Sequence, residues 1–323
     1  MPDTQDLVIG APVRAEDIRH QRVAFTLMVA ALAIAPFVVY PVFPMKVMCF
    51  ALFACAFNLL LGYGGLMSFG HAMFFGTAGY VCAHAAKVWG LQPEFALLLG
   101  IGAAVLLGAV VGVIAIRRQG IYFAMITLAL SQMVYFFYLQ APFTYGEDGI
   151  QNVPRGRLFG LIDLSNIMTM YFAVLAIFVA GFLVIYRVIH SPFGQVLKTI
   201  RENEVRAISL GYDINRYKLL AFLLSAALAG LAGSTKALVF GLASLTDVHW
   251  TMSGEVVLMT LLGGLGTIFG PVIGALIIVG MENYFAQLGS WVTVAQGGIF
   301  IICVLAFRRG VIGEIGHYLK KPL

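Results

Sequence analysis

The sequence predicts an all-α fold, a polytopic transmembrane helical bundle of about ten segments that include glycine-broken or half-helices. Three observations carry this. Only 11% of the 323 residues are charged and 61% are hydrophobic, whereas a soluble domain carries about 25% charged residues. The mean hydropathy is +0.93. Apolar runs of roughly 20 residues, the length that crosses a hydrocarbon core, recur along the chain.

In order, the runs predict spans at Val23–Phe43, Met45–Leu61, Leu66–Ala86, Glu94–Ile116, Gly120–Leu139, Met168–Ile189 and Leu219–Gly241. The last third holds Ser253–Gly264, Ile268–Gln287 and Ser290–Phe307, with Gly263-Gly264-Leu265-Gly266 interrupting it. These make one transmembrane domain, 23–307, between an N-terminal tail, 1–22, and a C-terminal tail, 308–323. Val23–Phe43 exceeds the 7–15 apolar residues of a signal-peptide core, so it reads as a retained helix. Cys49, Cys55, Cys82 and Cys303 lie in apolar runs without CxxC spacing, which implies neither disulfide nor metal.

Charge sets orientation. With the N-terminus inside, ten crossings place inside Arg14, Arg19 and Arg22, then Arg117 and Arg118, the six basic residues from Arg187 to Lys218, and Arg308, Arg309, Lys320 and Lys321. These are 15 of the 20 Lys and Arg, a positive-inside bias that predicts two cytoplasmic termini. Ser253–Gly264 is too short for a full crossing and reads as a half-helix.

The segment Ser191–Lys218, within the loop 190–218, carries eight of the 35 charged residues. Ser191-Pro192 reads as a helix cap and first residue, and Gly211 as a left-handed stop, so one helix of about five turns is expected. Leu197, Ile200, Glu204 and Ile208 would share a face, with Ala207 alongside. Such a stripe suits docking on a soluble partner, or rest on lipid headgroups. Between Leu139 and Met168 a turn-rich loop displays Glu147, Asp148 and Arg155, which suit contact with an external protein or a merely solvated connection.

Two stretches echo one another: Gly64-Gly65-Leu66-Met67-Ser68-Phe69-Gly70-His71 and Gly263-Gly264-Leu265-Gly266-Thr267-Ile268-Phe269-Gly270. Glycine-interrupted helices at corresponding places point to a transport pathway near the midplane; small residues also serve close helix packing. Candidate pathway residues are Asn58, Ser68, His71, Thr127, Ser131, Gln132 and Thr267, with Thr127 and Ser131 on one helical face. Besides helix flanks, the ionisable residues read inside the spans are His71, His84, Lys236 and Glu282, too thin a set for a proton relay. Neither HExxH, GxSxG nor a GxxxxGK[ST] phosphate loop occurs, so no catalytic residue, metal or cofactor is expected.

The stretches NLLLGYGGLMSFGHAMFFGTAGY from Asn58, RRQGIYFAMITLALSQM from Arg117, TYGEDGIQNVPR from Thr144 and IRENEVRAISLGYDINRYKLLAF from Ile200 resemble the M-type permease subunits of bacterial branched-chain amino acid ABC importers. The likeness runs from about Val47 to Arg309. It implies a second homologous permease subunit, two ATP-binding subunits that use the ATP, an external (periplasmic) substrate-binding protein, and residence in the lipid of the inner membrane. Nucleic acid is not among the implied partners. Urea, short amides or aromatic carboxylates are the substrates of similar permeases, and a stand-alone channel or secondary carrier is the rival class. The resemblance makes Ser191–Lys218 the coupling element, where Glu204-Val205-Arg206-Ala207 before Gly211 stands for the family's Glu-Ala-Ala, three residues, Gly pattern. Ile200, Glu204, Ala207, Ile208 and Gly211 are its coupling candidates. Tyr145 occupies the middle of a turn that in the family is usually Thr-Gly-Gly.

Overall fold

The structure, a computed structural model, describes residues 15–160, 162–285 and 310–318 and the single positions 294, 297, 298 and 301. Long apolar helices form where the sequence has apolar runs: α1 Ala15–Val38, α2 Val42–Asn58, α3 His71–Lys87, α4 Pro93–Ala115, α5 Ile121–Gln140 and α6 Ile167–Ile189. Then come α7 Pro192–Glu202, α8 Glu204–Ser209, α9 Ile214–Phe240, α10 Trp250–Gly263, α11 Gly270–Phe285 and α12 Gly310–Tyr318. Six helices among the described residues are long and apolar enough to cross a membrane. With the shorter α3, α10 and α11 they account for nine of the ten expected segments; the tenth, Ser290–Phe307, lies largely outside the described residues.

α2 is the axis of the bundle: from Pro44 to Asn58 every residue except Lys46 is buried. It packs against α6, α9, α10 and α11, while α3, α4 and α9 form a second closely packed group. Lipid is as apolar as leucine, so helices associate by close contact through small residues. A Cβ on Gly233 of α9 would fall on the Phe75 carbonyl of α3, and one on Gly230 would stand 2.6 Å from the Ala104 Cβ of α4. Glycine at those positions is what lets α9 touch both neighbours.

α2 runs without a stop into a π-helical turn, Leu59–Tyr63. Together they make 22 residues, about 33 Å at the helical rise, enough to cross the hydrocarbon. The first glycine break therefore starts after a helix long enough to cross, next to α7, and ends at His71, beside Ser225 in the middle of α9. α3 begins at His71, not at Leu66, because Gly64–Gly70 is non-helical, with turns at Gly64 and at Phe69–Gly70 and with Gly65 at φ +69°. α9 begins at Ile214, earlier than Leu219, because Asp213 caps it by accepting from the Arg216 N–H at 3.3 Å.

At the opposite end the loop after α5 is tied down. Strand β1 (Ile150–Gln151) pairs antiparallel with β4 (Leu242–Ala243) after α9, and β2 (Arg157–Leu158) forms a hairpin with β3 (Ile162–Asp163). Tyr145 sits at φ +61°, a left-handed conformation that disfavours a side chain bearing Cβ, and so bears out the turn chemistry noted above.

Candidate functional site

The two glycine breaks, distant in sequence, lie against each other. In the first, Ser68 Oγ accepts from the Gly70 N–H at 3.3 Å and Thr127 Oγ1 of α5 accepts from Phe69 N–H at 3.2 Å. Ser253 Oγ of α10 accepts from Ala72 N–H at 2.9 Å, supplying a partner that the first turn of α3 lacks. In the second, Thr267 Oγ1 donates to Gly264 O at 2.8 Å and accepts from Gly270 N–H at 3.1 Å, capping α11. Asn58 joins the breaks: its Nδ2 donates to Thr267 O at 2.8 Å and its Oδ1 accepts from Gly266 N–H at 3.0 Å. Gly62 lies so close that a Cβ there would stand 2.7 Å from Gly266 N. Gly310, at the start of α12, abuts the backbone of Gly263 and Gly264.

His71 Nε2 lies 2.7 Å from Ser225 Oγ, and that hydroxyl donates to Ala56 O at 2.5 Å. The single serine proton is thereby committed, so Nε2 carries the imidazole proton and Nδ1 is left as an acceptor with no partner among the described residues. Phe57, Phe74 and Phe222 surround the ring edge-on. The arrangement ties α2, α3 and α9 together with a neutral histidine. Ser131 is fully buried on α5 with no hydrogen-bond partner among the described residues, and Gln132 beside it is half-buried. The structure thus gathers Asn58, Ser68, Thr127 and Thr267 at the breaks, and sets Ser131 and Gln132 one turn farther along α5.

Ser191 and Pro192 open α7 as expected, and Gly211 stops α8 at φ +84°. The segment between is two helices, a correction to the single five-turn helix. Asn203 takes an extended conformation and accepts from the Arg206 N–H at 3.0 Å, which ends α7 and starts α8 at one residue. α8 folds back, so Ile200 and Ala207 are buried with Val196 and Ile214 in a small core of their own. The expected uncovered stripe is replaced by Val205, Ile208 and Leu210, which are 73%, 60% and 62% exposed. Glu204 faces inward, accepting from Lys218 Nζ of α9 at 3.0 Å and from Gln119 Nε2 at 2.7 Å. Burial, with Arg201 one turn on adding to it, holds the Lys198 ammonium below the ordinary lysine range.

Of the loop candidates, Glu147 and Asp148 are exposed, whereas Arg155 is half-buried and donates to Val239 O at 3.0 Å. Arg155 therefore anchors the loop to the end of α9.

At this same end Lys236 and Glu282, already read from the sequence, meet partners that were not. Lys236 pairs with Asp247 at 2.6 Å and Lys46 with Glu282 at 2.9 Å. Glu255, half-buried on α10, is inside the predicted Ser253–Gly264 run and corrects the short tally of ionisable residues. The pairs were out of reach of sequence reasoning because Lys46 and Glu282 are 236 residues apart.

A multi-pass bundle with interrupted helices joined at one end, and a charged two-helix excursion at that end, is an integral-membrane permease. Residues 43–305 match the family described as the branched-chain amino acid transport system / permease component, and the chain belongs to that family. It is 26% identical over 296 residues to the high-affinity branched-chain amino acid transport system permease protein LivM of Escherichia coli (strain K12), covering 84% of this chain and 70% of that one. It is 21% identical over 286 residues to BraD of Pseudomonas aeruginosa, named for the same system, covering 82% and 92%. The xylose transport system permease protein XylH of Haemophilus influenzae matches at 28% over 160 residues, 46% of this chain and 41% of that one. No solved structure matches.

Proposed function

We propose that this chain is a permease subunit of an ATP-driven importer that carries leucine, isoleucine and valine across the bacterial inner membrane. ATP is hydrolysed by two separate subunits docked on the α7–α8 unit, a second homologous permease completes the pathway, and an external binding protein delivers substrate. The observation that carries this reading is the α7–α8 unit itself. It is a helical pair packed on the start of α9 that exposes Val205, Ile208 and Leu210 at one end of a membrane bundle, and an exposed apolar patch of this kind suits docking. The substrate class is supported by the named relatives, since those for branched-chain amino acids align over 84% and 82% of the chain and the xylose relative over 46%.

In this reading both termini and α7–α8 face the cytoplasm, and Glu147 and Asp148 face the binding protein. The test is uptake of labelled leucine by vesicles that hold the complete complex, with ATP inside and binding protein outside. ATP-dependent uptake is expected; uptake of urea or an aromatic acid with none of leucine, isoleucine or valine would reject the substrate. Orientation is read in a background lacking the native cysteines: an impermeant thiol reagent applied outside should modify Asp148→Cys and spare Val205→Cys.

A further inference from the structure

One side chain runs from the α7–α8 unit to both glycine breaks. Arg201 lies in the last turn of α7, and its Nη1 donates to the carbonyl of Gly62 in the π turn that ends α2. Carbonyls at a helix C-terminus lack helical partners and carry the negative end of the helix dipole, so a cation is the fitting donor. The stem of Arg201 covers the first break, since a Cβ on Gly65 would stand 2.8 Å from its Cγ. Its guanidinium borders the second, since a Cβ on Gly266 would stand 3.4 Å from Nη1 and 3.4 Å from Gly62 O. One turn earlier Lys198 Nζ lies 5.6 Å from the Tyr63 ring centroid, a second contact of α7 with the same π turn.

The set is mechanically continuous. Arg201 holds Gly62; Gly62 touches Gly266; Asn58, one turn before Gly62, holds Gly266 N–H and Thr267 O. Gly65, Gly264 and Gly266 all have positive φ, so the backbone between these anchor points can rotate without the penalty that a side chain would impose. Arginine suits the place because its planar fork presents five donors at fixed angles and stays charged, whereas a lysine ammonium is a single point.

We infer that Arg201 is a positioning residue for transport, the tie that turns a displacement of α7 into a joint displacement of both breaks. This deepens the permease reading above and rests on it. The experiment measures leucine taken up per ATP hydrolysed by the complete complex in vesicles, with wild type, Arg201→Met and Arg201→Lys compared. Methionine keeps an apolar stem over Gly65 and loses every donor. The ATP-binding subunits should co-purify with Arg201→Met in the wild-type ratio and hydrolyse ATP within about twofold of wild type, while the uptake-to-hydrolysis ratio falls at least about tenfold. Arg201→Lys, with one donor group in place of the fork, should fall between the two. A wild-type ratio in Arg201→Met overturns the inference. Loss of the ATP-binding subunits from that variant also overturns it, making Arg201 a docking contact. If Arg201→Met fails to accumulate in the membrane, a wild-type ratio in Arg201→Lys decides against it. Failure of the permease reading is separately visible, because the wild-type complex would then show no uptake coupled to ATP.

Discussion

Replacing Asn58 by alanine should loosen the contact between the breaks, and the structure sets the size of the effect. Asn58 is 3% exposed and makes two hydrogen bonds, to Thr267 O at 2.8 Å and from Gly266 N–H at 3.0 Å. Side-chain hydrogen bonds in membrane proteins average about 0.6 kcal/mol and reach about 1.7 kcal/mol, so the pair contributes about 1–3 kcal/mol. Truncation also strands one backbone donor and one acceptor, and a buried polar group without a partner costs about 1–3 kcal/mol. These ranges overlap in what they count, and about 2–4 kcal/mol is the net expectation for Asn58→Ala. Asn58→Asp separates hydrogen bonding from packing. It keeps an acceptor for Gly266 N–H but sets a carboxylate oxygen against the Thr267 carbonyl, so it should be at least as destabilising as alanine despite its near-identical shape. The assay is denaturant unfolding of the purified subunit in detergent, with hydrogen exchange at residues 263–270 as the local readout. If both variants stay within about 0.5 kcal/mol of wild type, the ordinary range for an inconsequential substitution, Asn58 does not hold the breaks together.

Other substitutions test the packing and the ion pairs. Lys236→Ala should cost about 3–5 kcal/mol by stranding the Asp247 carboxylate, and replacing both by alanine should recover most of it, because desolvated pairs often break even against apolar groups; the side chains are 13% and 7% exposed. Glu204→Gln should cost less, about 1–3 kcal/mol, since Glu204 is 29% exposed although its partner Lys218 is only 6% exposed; faster proteolytic nicking between 203 and 213 is the readout. Gly233→Ala should cost about 1–3 kcal/mol because its new methyl falls on the Phe75 carbonyl. Gly254→Ala on α10, with nothing within 4 Å among the described residues, should be neutral or stabilising by up to about 1 kcal/mol in the same unfolding assay.

The helices were legible because a 20-residue apolar run has few alternatives in lipid, and the caps because Ser191-Pro192 and Gly211 are local signals that need no partner. The break in Ser191–Lys218 was hidden at Asn203, whose competing hydrogen bond to the Arg206 N–H outweighs an apolar rhythm that would continue through it. The inward turn of Ile200 and Ala207 follows from that break and so was hidden with it. The echo of the two glycine stretches was visible as letters. Their contact was not, since it depends on Asn58 meeting residues 208 and 209 positions away. Likewise Lys236 and Glu282 looked like stray charges because their partners lie beyond a loop or on another helix.

Both ends of the bundle carry charged contacts, Lys218–Glu204 and Arg201 to Gly62 O beside α7 and two ion pairs at the other, but only the α7 end has glycine breaks of positive φ between its anchor points. Away from α7, the Lys236–Asp247 and Lys46–Glu282 pairs are reinforced by the pairing of β1 with β4 and by Val153 N–H donating to Gly241 O at 2.9 Å. Charge-assisted bonds are about twice as strong as neutral ones, and these join α2 to α11 and, separately, α9 to the loop after it. Next to α7, the breaks are held chiefly by neutral hydrogen bonds of Asn58, Ser68, Thr127 and Thr267 to backbone that includes glycines of positive φ. Such backbone changes its dihedral angles at little steric cost, and hinges are a few residues at element ends that absorb the rotation. A push on α7 therefore meets a compliant layer first and a stiff one behind it. A displacement of α7 is expected to move the breaks more than the ion-paired end, the asymmetry that opening one side at a time requires.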